Sequence, residues 1–252
     1  MITALIRKEI KENVFSKKSL WIYFAVTILF SGLALSFVSV KELSLLAQVE
    51  VNMTFMKVVL GISILVTIII GSNMYAGERE RETLESLLLS PLSKAQITFG
   101  KLVGLLLFWF IISLLSLPYF YALAMGTDIF LKAIIFLYFI CFPLVIGFSA
   151  LSLGFSAILS STKSSTLLAF VLFLVTAIPM FLSTTMKKSG FAHIVDTISP
   201  LSRSMLTLKD YFVNRLGFMV LMVDLLPVLI FLVISIAVLL FGNNKITLKG
   251  EE

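Results

Sequence analysis

Long apolar runs alternate with short polar stretches along the whole chain. Six runs are read, at about 19–40, 54–76, 99–124, 131–159, 165–182 and 217–241. Each is near or above the roughly 20 residues that a helix needs to cross ~30 Å of hydrocarbon. Pro118 falls within the third run, and Pro143 near the middle of the fourth, where a kink is expected. Ahead of the first run, residues 1–18 place Ile2, Leu5, Ile6, Ile10 and Val14 at helical spacing, with Arg7, Lys8, Lys11 and Glu12 interspersed. That pattern predicts an amphipathic helix in the headgroup plane, its basic residues near anionic lipid. The run that follows is about 20 residues, longer than the ~7–15-residue core of a signal peptide, and is read as a retained span. The expected fold is an all-α membrane protein, one transmembrane domain over 1–252.

The connections differ in character. Residues 41–53 form a polar loop, and Gly126, Thr127 and Asp128 predict a tight turn. Residues 183–216 are too apolar for a simple loop, with Phe191, Ile194, Ile198, Leu201 and Met205 among them. Short interfacial or re-entrant helices fit them better.

Composition narrows the reading. The chain is 59% hydrophobic and 13% charged, with a mean hydropathy of +1.08. A soluble enzyme of this length would carry far more charge. The net charge of +6 would suggest nucleic acid in a soluble protein. Here it follows from basic residues retained in cytoplasmic loops, and no nucleic-acid partner is expected. If the N-terminus is cytoplasmic, twelve of the 20 Lys and Arg residues face inward and eight outward. Six spans then return the C-terminus to the cytoplasm as well.

Candidate chemistry is sparse. One cysteine, Cys141, excludes an intrachain disulfide, and one histidine, His193, excludes a His-rich metal cluster. His193, Asp196 and Ser199 share a loop, but this is weak evidence for a hydrolase triad. Asp224 lies near the outer end of the sixth run and is read as an interfacial residue with no partner carboxylate evident. Gly100-Lys101 is followed by Leu102 and opens a span, so it is not a phosphate-binding loop. Ala150 and Gly154, with Ser152 and Ser156, give the fourth run small residues at spacing four, which permits close helix packing within the chain.

The most specific stretch is 77–91. Leu84, Leu87 and Leu88 form one apolar stripe; Glu78, Glu82 and Glu85 form an acidic face; Arg81 can pair with Glu85; and Ser90-Pro91 ends the helix. A short charged helix held between two spans is suited to receive force from a soluble partner.

The pattern Glu80-Arg81-Glu82-Thr83-Leu84-Glu85, with Leu87-Leu88, Ser90-Pro91, Ser93, Ile97 and Gly100-Lys101, resembles the cytoplasmic signature of type 2 ABC exporter permeases. The segment from Ser152 and Gly154 to Ser161 resembles the junction of that family's fourth and fifth spans, and Ser199-Pro200-Leu201 a recurrent element of its last outer loop. The resemblance implies a permease subunit in a bacterial or archaeal plasma membrane, with both termini cytoplasmic. It also implies a second permease copy, identical or related, and two copies of a separate ABC ATPase that bind ATP and Mg. No catalytic residue, cofactor or metal is then expected on this chain. The implied coupling element is a helix carrying Glu78, Arg81, Glu82, Leu84, Glu85, Leu87 and Leu88. The family commonly has Gly where this chain has Glu82, and Glu is expected to make the helix more continuous. The alternatives are an ATP-independent secondary transporter or channel, and a membrane scaffold that only binds a partner.

Overall fold

The computed structural model describes residues 2–38, 45–125, 129–181, 190–214 and 218–246. The expected turn at Gly126, Thr127 and Asp128, residues 41–44 of the expected 41–53 loop and part of the 183–216 segment lie outside them; residues 45–53 are not a loop but the first turns of a helix, Leu45–Asn73. Among the described residues the fold is all helical, with six helices long and apolar enough to cross a membrane.

In chain order the helices are α1 Ile2–Glu9, α2 Lys17–Val38, α3 Leu45–Asn73, α4 Ala76–Glu80, α5 Leu84–Leu88, α6 Lys94–Leu123, α7 Ile129–Ile158, α8 Thr162–Phe181, α9 Gly190–Ile198, α10 Pro200–Lys209, α11 Phe218–Asp224 and α12 Leu226–Asn244. The bundle has two ends. At one, α1, α4 and α5 gather around the start of α6; this is called the Lys101 end below. At the other lie α9 and α10.

Helix α7 is the centre of the bundle, packed against α12, α3, α6 and α8. Its small residues explain why. A Cβ built on Gly154 would lie 3.1 Å from the backbone of Val238 and Leu239, and one on Gly242 would lie 2.7 Å from the Gly154 carbonyl oxygen. The α7 and α12 backbones therefore touch directly, as small residues allow in lipid, where close packing and not hydrophobic exclusion drives association. This is the within-chain use of the small-residue row on the fourth run. Elsewhere aromatic rings fill the space between helices: Tyr23 on Phe108 at 4.7 Å, Phe55 on Phe120 at 4.8 Å, and Phe148 on Phe231 at 4.8 Å. The outer faces of α2, α8 and α12 expose Trp21, Phe24, Leu167, Val175, Val233 and Leu240. Such a continuous apolar exterior suits hydrocarbon and not water.

Two expectations about the N-terminal segment are corrected. The N-terminal helix does not run through residue 18: α1 stops at Glu9, a π turn covers Ile10–Val14, and Ser16 starts α2 by accepting the Ser19 N–H. Its stripe faces protein as well, since Leu5 and Val14 are buried. The sixth run carries a one-residue break at Leu225, with Pro227 in the first turn of α12, and still forms one candidate span, Leu221–Asn244. Asp224, at that break, has a partner: its carboxylate accepts from Arg203 of α10 at 3.2 Å. Helix α10 itself lies among the spans, with Leu201, Met205 and Leu208 in the main core, whereas α9 exposes Phe191, Ile194 and Ile198.

Gly154→Ala should force α7 and α12 apart, because the added methyl meets backbone that cannot rotate away. We expect a loss of about 1–3 kcal/mol, read as a melting midpoint several degrees lower in detergent. Gly61→Ala, where nothing lies within 4 Å of the added Cβ, should match or slightly exceed the wild type.

Candidate functional site

The most specific sequence segment sits at the Lys101 end, where the chain leaves α3. Helix α3 stops at Asn73 because Ser156 of α7 replaces its next hydrogen bonds. The Ser156 hydroxyl accepts from the Tyr75 and Ala76 N–H groups, both at 2.9 Å, and donates to the Ser72 carbonyl at 2.7 Å. Helix α4 then turns along a new direction with its backbone satisfied.

The expected continuous helix through Glu82 does not form. Glu82 has φ 58°, the left-handed region that favours glycine. The Thr83 N–H bonds the Glu78 carbonyl at 2.9 Å and the Glu82 N–H bonds that of Arg79 at 3.1 Å. This pair of bonds is a Schellman termination, whose left-handed position usually holds Gly. The resemblance to a family with Gly at this place was thus a signal of a helix end. Glutamate there is strained, not helix-extending.

The break scatters the acidic face. Glu82 and Glu85 are exposed, but Glu78 points inward. Arg81 and Glu85 fall on opposite sides of the break, so the i, i+4 pairing is lost. The leucine stripe is divided too. Leu84 is 5% exposed and packs inside this chain with Leu5, Tyr75, Ile97 and Leu105. It needs no partner to cover it. Leu87 and Leu88 are half-buried, and Leu89 is 75% exposed. After α5, Ser93 and Gln96 form a capping box that starts α6.

Glu78 turns inward toward Lys101. The Lys101 ammonium, 1% exposed, donates to Glu78 at 2.8 Å, to Glu9 at 3.1 Å and to the Met74 carbonyl at 3.1 Å. Its charge also lies 5.1 Å from the centre of the Tyr75 ring. Asn13 donates to the other oxygen of Glu9 at 2.7 Å. One cation thus holds two carboxylates, from α1 and α4, against the first turns of α6. Glu9 is only 2% exposed. The pattern carried a hint of it: Glu9 follows Leu5 by four and Ile6 by three, inside the apolar stripe and not opposite it.

Helix α4 also clamps the junction of α7 and α8. The Arg79 guanidinium donates to the Leu159 carbonyl at 2.8 Å and the Ala157 carbonyl at 3.1 Å, at the C-terminal end of α7. The Glu80 carboxylate accepts the Thr162 N–H at 2.8 Å and its hydroxyl at 3.0 Å, at the start of α8. A cation at a helix C-terminus and an anion at an N-terminus both complement the backbone dipoles and fill unpaired groups. The Tyr75 hydroxyl, 2.7 Å from Thr98, continues through Thr98 to Asn243 of α12 at 2.7 Å. The two segments that resembled family signatures, 78–101 and 152–161, are therefore bonded to each other. Arg79 carries no role in the sequence reading, and Glu80 enters it only as the first residue of the family pattern, because partners about 80 residues away leave no local pattern.

At the opposite end, Ser199, His193 and Asp196 do not form a triad. The Ser199 hydroxyl donates to the Thr176 carbonyl at 2.6 Å and caps α10 by accepting the Ser202 N–H. Asp196 accepts from the Ser202 hydroxyl, and His193 is exposed on α9. All three groups serve helix ends and surface.

Compared with known families, residues 3–245 match a model described as an ABC-2 family transporter protein. No curated protein matches the chain.

The charge cluster predicts an order of effects. Lys101→Met leaves two inward-facing carboxylates without a cation and should cost about 3–5 kcal/mol, read as lost thermal stability or yield. Glu9→Gln leaves a neutral-balanced pair and should be tolerated better. An equal or smaller loss for Lys101→Met would contradict the assignment. Separately, Glu82→Gly should stabilise by about 1 kcal/mol through relief of the left-handed strain, seen as a higher melting midpoint.

Proposed function

Because the chain belongs to the ABC-2 transporter family, we propose that it is the membrane permease subunit of an ATP-driven exporter, coupled to a separate ATPase. Two permease copies, identical or related, enclose the path in a bacterial or archaeal plasma membrane. Two ATPase subunits, which bind ATP and Mg and carry out hydrolysis, dock at the Lys101 end. That end faces the cytoplasm, together with both termini; the basic N-terminus and the even number of spans support this orientation. The chain contributes no catalytic group.

The observation that carries the coupling is the two-sided geometry of α4 and α5. Their inner side is bonded to α1, α6, α7 and α8 through Glu78, Arg79, Glu80 and Leu84. Their outer side presents Arg81, Glu82, Glu85 and Leu89. Among the coupling residues, Arg81, Glu82 and Glu85 meet the ATPase, and Leu87 and Leu88 complete the edge of that contact. Leu84 and Glu78 instead anchor the element internally. When ATP draws the ATPases together, a push on α5 passes through α4 to the ends of four other helices at once. This is rigid-body coupling through an element whose position both partners bias. An ATP-independent channel or transporter would need no such outward face.

The test is copurification of an ATP-hydrolysing partner from native membranes. Leu89→Asp combined with Glu85→Arg should abolish it, because the first puts a charge in the contact and the second reverses the rim. The permease should still be obtained at wild-type yield. Leu84→Asp is not a docking test, since it places a charge inside the chain's own core. If no ATPase accompanies the wild type, or the double variant retains it fully, the coupling reading fails.

A further inference from the structure

A cleft of about 870 Å³ opens at the Lys101 end between the start of α2, the end of α3 and the start of α8. Lys11, Lys17, Lys18 and Arg81 line it, against the single carboxylate of Glu12. Among the described residues none of these four cations is engaged in an ion pair, and all four are exposed. The cleft also has an apolar wall of Ile22, Ile69 and Ile70. Ile69 is itself exposed, and Ile22 lies one turn into α2 from Lys18. The cations therefore sit where the spans meet the headgroup layer, and the isoleucines sit on the hydrocarbon side. Thr166 and Asn73 add hydrogen-bonding groups between the two.

From this juxtaposition we infer that the cleft binds the phosphate headgroup of an anionic phospholipid, with its acyl chains against Ile69 and the neighbouring outer face. A soluble anion would use the cations but not the apolar wall. A zwitterionic lipid would use the wall but leave the excess positive charge unmatched. Only an anionic lipid satisfies both. The site is separate from the Lys101 cluster, whose charges are internally paired, and three of its four cations, Lys11, Lys17 and Lys18, lie outside the face assigned to the ATPase.

The full chain, purified in detergent, is titrated with phosphatidylglycerol and with phosphatidylcholine of identical acyl chains, and bound lipid is counted by native mass spectrometry. The wild type should bind phosphatidylglycerol about tenfold or more tightly than phosphatidylcholine. Lys17→Ala with Lys18→Ala should weaken phosphatidylglycerol roughly 25-fold, at about fivefold per charge near the surface, with phosphatidylcholine unchanged. Lys11→Ala, on another wall, gives an independent reading should the double variant lose its wild-type melting midpoint. Lys94→Ala, an exposed lysine at the same end but outside the cleft, should change nothing. Three results overturn the inference: an unchanged preference in the cleft variants, an equal loss in Lys94→Ala, or full displacement of the lipid by millimolar glycerol phosphate. The second would mean diffuse surface charge, and the third a soluble-anion site.

Discussion

One buried ammonium organises the Lys101 end. Lys101 enters a span, where an unpaired charge would be prohibitive, and it is compensated by Glu9 and Glu78 from two other elements. The interaction is better understood as a constraint than as a source of stability. Removing both charges from water costs about as much as their attraction returns, but separating them once buried costs far more. The start of α6, the turn before α4 and the end of α1 are therefore held in one register. Oil-like side chains alone would allow these elements to slide.

Backbone satisfaction explains the rest of that end. In or near hydrocarbon every N–H and carbonyl group needs a partner. The break between α3 and α4 would leave such groups open, and Ser156 closes them. The ends of α7 and α8 would do the same, and Arg79 and Glu80 close those. Each device is a single side chain that reaches another helix. The result is a small segment rigidly tied to four others, with an outer face free to meet a partner. The strained Glu82 sits at its tip, where a helix must end for α5 to fold back over Leu84.

The exterior shows how the same chain meets its solvent. The flanks of α2, α8 and α12 expose mainly apolar side chains, and the cations of the cleft gather at the Lys101 end of α2 and α8. Charges at that height can remain hydrated or find lipid phosphate, so they need no internal partner. Arg203 and Asp224 at the opposite end are only slightly exposed and are paired. Depth decides which charges become structural and which remain available.

The hydropathy pattern by itself determined the class of protein and the six apolar helices, because helix length and apolar content are local properties that lipid enforces; the family likeness of 78–101 came from its residue pattern and not from hydropathy. The residue pattern also marked the small-residue row at Ala150 and Gly154. Only the tertiary structure decided which residues that segment turns inward. Glu78, Glu82 and Glu85 share a face on an ideal helix, but a Schellman termination at Glu82 sends them in different directions. Leu84 fits a partner-facing stripe by spacing, yet Leu5, Ile97 and Leu105, all distant in sequence, already cover it. Likewise the partner of Lys101 on α1 is 92 residues away, and the carbonyl groups held by Arg79 are about 80 residues away. Such pairings arise from how helices cross, and a crossing is set by the packed shape of the whole bundle rather than by any window of the chain.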